Sequence, residues 1–457
     1  MPTSHRKAAL AVWGTAMLIY VVATGGRASF GVAGLDALDR FEINASTLSL
    51  FTVVQFGVYA GAQIPIGILL DKYGPRRILL SGALLLAIGQ VGMALADSLS
   101  LALAVRALIG VGDATAFTGV LRLLPSWFPP RSVPLMTQLT SIGGTAGQIV
   151  SSLPFAYMLH NQGWSPAFLM LGGLGILGVV LGLLILRDTP DDWRSKADKE
   201  SSAELAVEAA GAVVDVDRVP ISQVLKEPGA WLGFWTHWTG GFPHMVFMLL
   251  WGVPFLEIHN GMSSASAAAI LLVTTFSGVL FGPIIGRLVA AHPFRRTWIV
   301  QGAAILTVII WVVVLLIPAP TPMPVLIILL MTLALAGSAS SVGFDFARTS
   351  VPLSRLGTAN GLVNMGGFIA GLITNLGIGV LLDISSGGAA YDAADFKVAF
   401  AFQLVMLAFG MLMIEIFKRK TRKRMAARGT VVPPLRDVIA RYQVRWEQRR
   451  QDKRGLN

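Results

Sequence analysis

Twelve apolar runs, each long enough to cross a bilayer as a helix, leave this chain little choice of fold. They lie at about 9–35, 47–70, 77–96, 99–124, 134–159, 165–186, 230–256, 265–289, 297–317, 324–347, 357–382 and 396–417. A helix needs roughly 20 apolar residues to span a hydrocarbon core of about 30 Å. Backbone in lipid must satisfy its own hydrogen bonds, which leaves only helices or closed barrels, and runs of this length are too long for barrel strands. Only 13% of the residues are charged, about half the share in soluble domains. The reading is an all-α membrane protein with twelve transmembrane helices.

The loops alternate in charge. Arg76, Arg77, Arg131, Arg295, Arg296 and Arg355 fall on one side, and Asp36, Asp39, Glu42, Asp97, Glu257, Asp383, Asp392 and Asp395 on the other. Basic loops stay inside, so both termini are expected in the cytoplasm and the chain in the cell membrane. The apolar run after the basic start, Met1 to Lys7, is too long for a cleaved signal peptide and reads as a retained first helix.

One long polar segment, 188–226, breaks the apolar rhythm. It divides the chain into a six-helix bundle at 1–187, a cytoplasmic loop at 188–226, a second six-helix bundle at 227–418 and a basic cytoplasmic tail at 419–457. The net charge of +11 resides at the C-terminal end, where from Lys418 to Arg454 14 Lys or Arg stand against Asp437, Glu447 and Asp452. The rest of the chain is balanced, so the excess points to anionic lipid and not to nucleic acid. In the tail, Leu435, Val438, Ile439, Tyr442 and Trp446 recur at helical spacing. They read as an interfacial amphipathic helix or as a disordered basic tail.

Several chemistries are excluded. There is no cysteine, hence no disulfide or thiol chemistry. No P-loop, H-E-x-x-H or nucleophilic triad is present. The chain reads as neither an enzyme nor an ATP-driven pump, and calls for no cofactor or metal.

The two halves echo each other, which suggests internal duplication. Gly67 to Arg76-Arg77 aligns with Gly286 to Arg295-Arg296 at identical spacing, with Ala290 where the first half has Asp71. Arg131 to Gly143-Gly144 aligns loosely with Arg355 to Gly366-Gly367.

The loop Gly67-Ile-Leu-Leu-Asp71-Lys72-Tyr-Gly74-Pro-Arg76-Arg77 resembles the helix 2–3 signature of the major facilitator superfamily, G-x-x-x-D-(R/K)-x-G-(R/x)-(R/K). The resemblance covers about 10–418. It implies two pseudo-symmetric six-helix halves, a substrate site between them, and alternating access. It also implies that Asp71 faces the positive N-terminus of a helix from the other half. Gly67, Asp71, Gly74, Arg76 and Arg77 would then form a conformational latch; the alternative is a solvated turn with topology-setting arginines.

Charges inside spans are costly and so are candidates for function. Arg27 lies among small residues in helix 1, and its planar fork suits a carboxylate or phosphate. Its position resembles the helix 1 Arg of the organic-anion and phosphate-ester branches, and the chain as a whole resembles the anion, nitrate-nitrite and organic-anion porters. Those branches add an Arg in helix 7, where this chain has His244. One Arg with a titratable His suits a monoanion and a proton. Arg27 otherwise reaches the outer face or pairs with Asp36. His237 lies one heptad before His244 and shares its face. Arg106-Ala-Leu-Ile-Gly110-Val-Gly112-Asp113 resembles the helix 4 motif linked to proton movement. Arg106 and Asp113 are about 10 Å apart along the axis, so each needs another partner. Asp113 is either a proton carrier or a structural partner for a neighbouring helix. Asp345 and Arg348, at i and i+3, can pair, and with Arg122 they read as a gate or as topology-setting charge. Gln148 and Asn364, on glycine-rich helices 5 and 11, are polar candidates for the cavity.

The expected function is secondary active, proton-coupled uptake (symport) of a small anion by a monomer. Arg27, His244, Asn364 and Gln148 would bind substrate, and Asp113, Arg106 and His244 would move the proton. Proton-driven efflux of a drug or metabolite is the rival, although helix 5 lacks the Gly-Pro of drug antiporters. A non-transporting sensor or scaffold is the rival from another class.

Overall fold

The computed structural model describes residues 3–43, 45–193, 220–387 and 389–432. Most of the central loop, 194–219, and the candidate amphipathic helix of the tail lie outside them.

The first half comprises α1 (Thr3–Val32), α2 (Ala45–Tyr73), α3 (Pro75–Leu95), α4 (Leu99–Trp127), α5 (Val133–Gln162) and α6 (Trp164–Ile185). The second comprises α7 (Pro228–Ile258), α8 (Ser264–Ala291), α9 (Arg296–Leu316), α10 (Met323–Ser350), α11 (Leu356–Ser386) and α12 (Ala393–Ala427). Eleven of these are long and apolar enough to cross a membrane. The exception, α5, has 30 residues, but its apolar content is diluted by Thr137, Gln138, Thr140, Ser141, Gly143, Gly144 and Thr145. Those small and polar residues suit a helix that faces a cavity instead of lipid. The architecture is the all-α, twelve-helix one expected from the apolar runs.

Local chemistry sets the boundaries. Gly74 alone separates α2 from α3 and sits at φ +83°. That region favours glycine, and Pro75 then starts α3 with its φ preset for the first helical turn. Ser98 and Ser263 cap α4 and α8 by accepting from backbone N–H groups three residues on. In α7 the α-helix passes through a π-helical turn at Phe247–Trp251, after Pro243. Extra backbone of that kind often marks a functional segment.

The halves meet along two seams, α2 against α11 and α5 against α8. On α2, Tyr59, Gln63, Gly67 and Asp71 recur at four-residue steps, so they form one stripe facing α11. Tyr59 accepts from Asn364 Nδ2 at 2.9 Å. The backbone at Gln63 presses on Gly361, and Gly67 on Gly357 and Thr358, where added Cβ atoms would collide with main chain. Across the other seam, Gly286 lies against Leu135 and Gly282 against Ile142. At the end of the bundle that carries Asp71, therefore, backbone meets backbone on both seams.

A methyl group at Gly361 would overlap the carbonyl of Gln63, and main chain cannot rotate away as a side chain can. Gly361→Ala is expected to hold the Asp71 end open. Nitroxide labels on the exposed Arg77 and His292 of this cysteine-free chain would report longer distances by pulsed EPR; an unchanged distribution would mean that the seam tolerates the methyl.

Candidate functional site

Between the halves lies a cavity of about 260 Å³. Tyr20, Arg27, Tyr59 and Phe117 line it from one half, with Gln138, Ser141 and Thr145 of α5. His237, His244, Thr274, Ser338, Ser341 and Asn364 are among the residues that line it from the other. Its floor, toward the Asp71 end, is bonded across the halves. Gln138 Nε2 donates to Ser338 O at 2.9 Å, and the Ser141 and Ser341 hydroxyls lie 3.2 Å apart. Phe117 meets Phe344 edge to face at the same level.

The charge at the cavity wall is a closed pair. Arg27 Nε donates to Asp113 Oδ2 at 2.7 Å, and Nη2 to Oδ1 at 2.8 Å. The fork is bidentate, the strongest geometry available to these groups. Asp113 is 1% exposed and Arg27 14%, so the acid is sealed and the guanidinium keeps an edge on the cavity. Arg27 also sits 4.9 Å from the Tyr59 ring centroid, within range of a cation–π attraction. Arg27 therefore pairs with Asp113 and not with Asp36.

Arg106 takes a different place. It is buried, and donates from Nη1 to Gly26 O at 3.2 Å and from Nη2 to Arg27 O at 3.3 Å. Its guanidinium lies over Phe30. The helix 4 arginine thus grips the main chain of α1 beside Arg27, and is not among the cavity-lining residues.

At the end of the α2 stripe, Asp71 sits on the N-terminus of α11. Its carboxylate accepts from Gly357 N at 2.7 Å, Thr358 N at 2.8 Å and Thr358 Oγ1 at 2.7 Å. The first backbone N–H groups of a helix have no partner within it and carry its positive end. Arg122 Nε approaches the same carboxylate at 3.4 Å. Arg122 therefore belongs with Asp71, whereas Asp345 and Arg348 pair with each other at 2.7 Å. Arg296, the repeat equivalent of Arg77, donates to Asp345 O at 2.9 Å and to Thr349 Oγ1 at 3.0 Å. On the first half, Asp188 accepts from Arg76 N at 2.7 Å, and Arg77 is exposed.

Of the sequence candidates for the cavity, Arg27, His244 and Asn364 line it, as does His237. The side chain of Gln148 lies outside the described side chains. Trp235 and Trp238 pack against Phe409 and each other and do not line the cavity. Tyr20, Tyr59, Gln138 and Ser141 were not legible as site residues from sequence. The four-residue step from Tyr59 to Asp71 was the one available signal for Tyr59.

A membrane bundle of two equivalent halves with a polar cavity between them is the build of a solute carrier. Residues 16–375 match the sequence profile of the Major Facilitator Superfamily, and the chain belongs to that superfamily. It is a multi-pass membrane transporter and not an enzyme. It is 23% identical over 394 residues to the probable galactarate/D-glucarate transporter GudP of Escherichia coli, covering 81% of this chain and 86% of that one. It is 22% identical over 292 residues to the probable sulfoacetate transporter SauU of Cupriavidus necator, covering 63% and 66%. Among solved structures it resembles the proton:xylose symporter XylE bound to 6-bromo-6-deoxy-D-glucose. The TM-score is 0.71 at 15% identity, over 91% of this chain and 96% of that one.

Removing one partner of a buried ion pair leaves an uncompensated charge and costs about 3–5 kcal/mol. Arg27→Met and Asp113→Leu are each expected to lower the melting temperature in detergent, and the double variant to recover most of the loss. Additive losses would mean that the two groups are not coupled. Asp71→Asn keeps the side chain's size but removes the charge at the α11 N-terminus. It is expected to slow turnover several-fold while shifting substrate affinity little, and equal turnover would leave Asp71 a passive cap.

Proposed function

We propose that this protein imports a small organic anion together with a proton by alternating access, and that Arg27 is the anion site. The bidentate Arg27–Asp113 pair on the cavity wall carries this reading. An anion arriving at Arg27 meets a guanidinium already neutralised by Asp113. A second carboxylate on the same fork would place two negative charges within a few ångströms, which is unfavourable in a low-dielectric site. Protonation of Asp113 removes that repulsion and frees two donors for the substrate carboxylate. Proton and anion then enter together, because each needs the other at Arg27.

The remaining charges time the gate. With the cytoplasm taken as the Asp71 side, this conformation is sealed inward by Asp71 on the α11 N-terminus, with Arg122 beside it and the glycine seams behind it. Opening inward breaks the Asp71 contacts and separates Tyr59 from Asn364. Asp345, Arg348 and Arg296 brace the corresponding end of the second half, so the latch is asymmetric, as Ala290 in place of a second Asp implies. Arg106 fixes the α1 backbone beside Arg27 and acts on the proton site through that backbone. The basic end of α12, Lys418 to Arg428, lies against anionic lipid on the same side.

The printed substrates of the relatives, galactarate or D-glucarate and sulfoacetate, are organic anions and support this class. Drug efflux has no comparable support, since the charge on the cavity wall is cationic in its exposed part.

The test is proton-coupled uptake in proteoliposomes. Wild-type protein should accumulate an organic anion down an imposed pH gradient. Arg27→Ala should abolish anion binding in a folded protein. Asp113→Asn, which mimics the protonated acid, should still bind and exchange anion but lose dependence on the pH gradient. Gradient-driven uptake by Asp113→Asn would show that the coupling proton is carried elsewhere.

A further inference from the structure

On the reading that Arg27 takes the anion, the wall opposite it holds two polar groups without work in the described structure. Thr274, on α8, is 1% exposed, and its hydroxyl has no hydrogen-bond partner. His244, on α7, has no partner at Nδ1. Both side chains line the cavity. Thr239, Thr307, Thr332 and Thr374, all on helices of the same half, return their hydroxyls to the carbonyl four residues earlier. Thr274 does not, and a buried hydroxyl without a partner is costly. Between the two groups runs α10, whose Gly337 lies against the imidazole and which packs against both α7 and α8. Glycine there leaves room that any side chain would fill.

The charge balance of the cavity narrows the ligand further. Among the described lining residues Arg27 is the sole Lys or Arg, and no second guanidinium faces it from the other half. Arg106 and Arg296 are both committed to main-chain carbonyls. At about 260 Å³ the cavity also exceeds what a nitrate-sized ion needs, since one water takes roughly 30 Å³ in the liquid.

We infer that Thr274 and His244 form a hydroxyl-binding subsite, and that the substrate is a hydroxylated carboxylate carrying a single negative charge. Its carboxylate meets Arg27. Hydroxyls on the chain beyond it supply the missing partners of Thr274 Oγ1 and of the His244 imidazole, one to each, with each side chain turned to the cavity by a rotation. A site that hydrogen-bonds a substrate hydroxyl discriminates strongly against the analogue lacking it, because its own polar groups are then left unpaired. A second carboxylate at that end would find an imidazole and a hydroxyl but no permanent cation.

The experiment measures binding of gluconate, hexanoate and glucarate to the detergent-purified full chain at pH 5.5 by calorimetry. The three have six carbons each and differ in hydroxyls or in a second carboxylate. Gluconate is expected to bind at least tenfold more tightly than hexanoate, and more tightly than glucarate. Thr274→Val, close in shape, should cut the gluconate-to-hexanoate ratio about fivefold to tenfold, the worth of one hydrogen bond, while Thr274→Ser should retain it. His244→Phe should narrow the same ratio. Equal binding of hexanoate and gluconate, or a ratio unmoved by Thr274→Val, would overturn the subsite while leaving Arg27 as the anion site. Tighter binding of glucarate than gluconate would overturn the single charge. If none of the three binds, or if binding survives Arg27→Ala, the Arg27 reading fails and the subsite fails with it.

Discussion

A single carboxylate on a helix end ties the two halves together. Asp71 accepts three hydrogen bonds from the first turn of α11, where partnerless N–H groups and the helix dipole both favour an anion. Such a contact is worth on the order of 0.3–2 kcal/mol, small enough for the halves to part there. It needs close approach of the helices, which glycine at 67, 357 and 361 allows. The stripe from Tyr59 to Asp71 makes that approach continuous from the cavity to the latch. The cavity residue Tyr59 and the Asp71 contact therefore share one helix face, joined by main-chain contact.

The second governing interaction is the Arg27–Asp113 pair. A lone Arg or a lone Asp in a span would be expensive. Together, with Tyr59 over the guanidinium and Arg106 fixing the neighbouring carbonyls, they make an occupied site of stable geometry. Pairing also keeps the cavity from holding a bare cation between transport events. On the proposed reading, the substrate has to displace a competitor built into the protein, and a proton is the smallest agent that can disarm it.

The apolar runs and the polar break after α6 were enough to derive the fold, because the bilayer admits so few alternatives. Asp71 and its neighbours were legible because a tight loop concentrates its signal in adjacent positions. Arg27 and Asp113 were each legible as charges in spans, but their pairing was not. They are 86 positions apart, and helix rotation cannot be fixed from sequence to better than a turn. Arg122 was legible as a gate charge by its symmetry to the Asp345 and Arg348 pair, but its contact with Asp71 was not, for the same reason: only packing brings it there. Thr274 and Gln138 are ordinary residues for a membrane helix, and only the shape of the cavity singles them out.

The neutral pair has an electrical consequence. On the proposed reading, the empty site holds Arg27 with ionised Asp113, and the loaded site holds Arg27 with a monoanion beside protonated Asp113. The charge at the centre of the bilayer is the same in both. Membrane voltage does work of about 2.3 kcal/mol per elementary charge per 100 mV, but only on charge that moves. A carrier built around this pair is blind to voltage, and the pH difference alone sets how far it can concentrate its cargo.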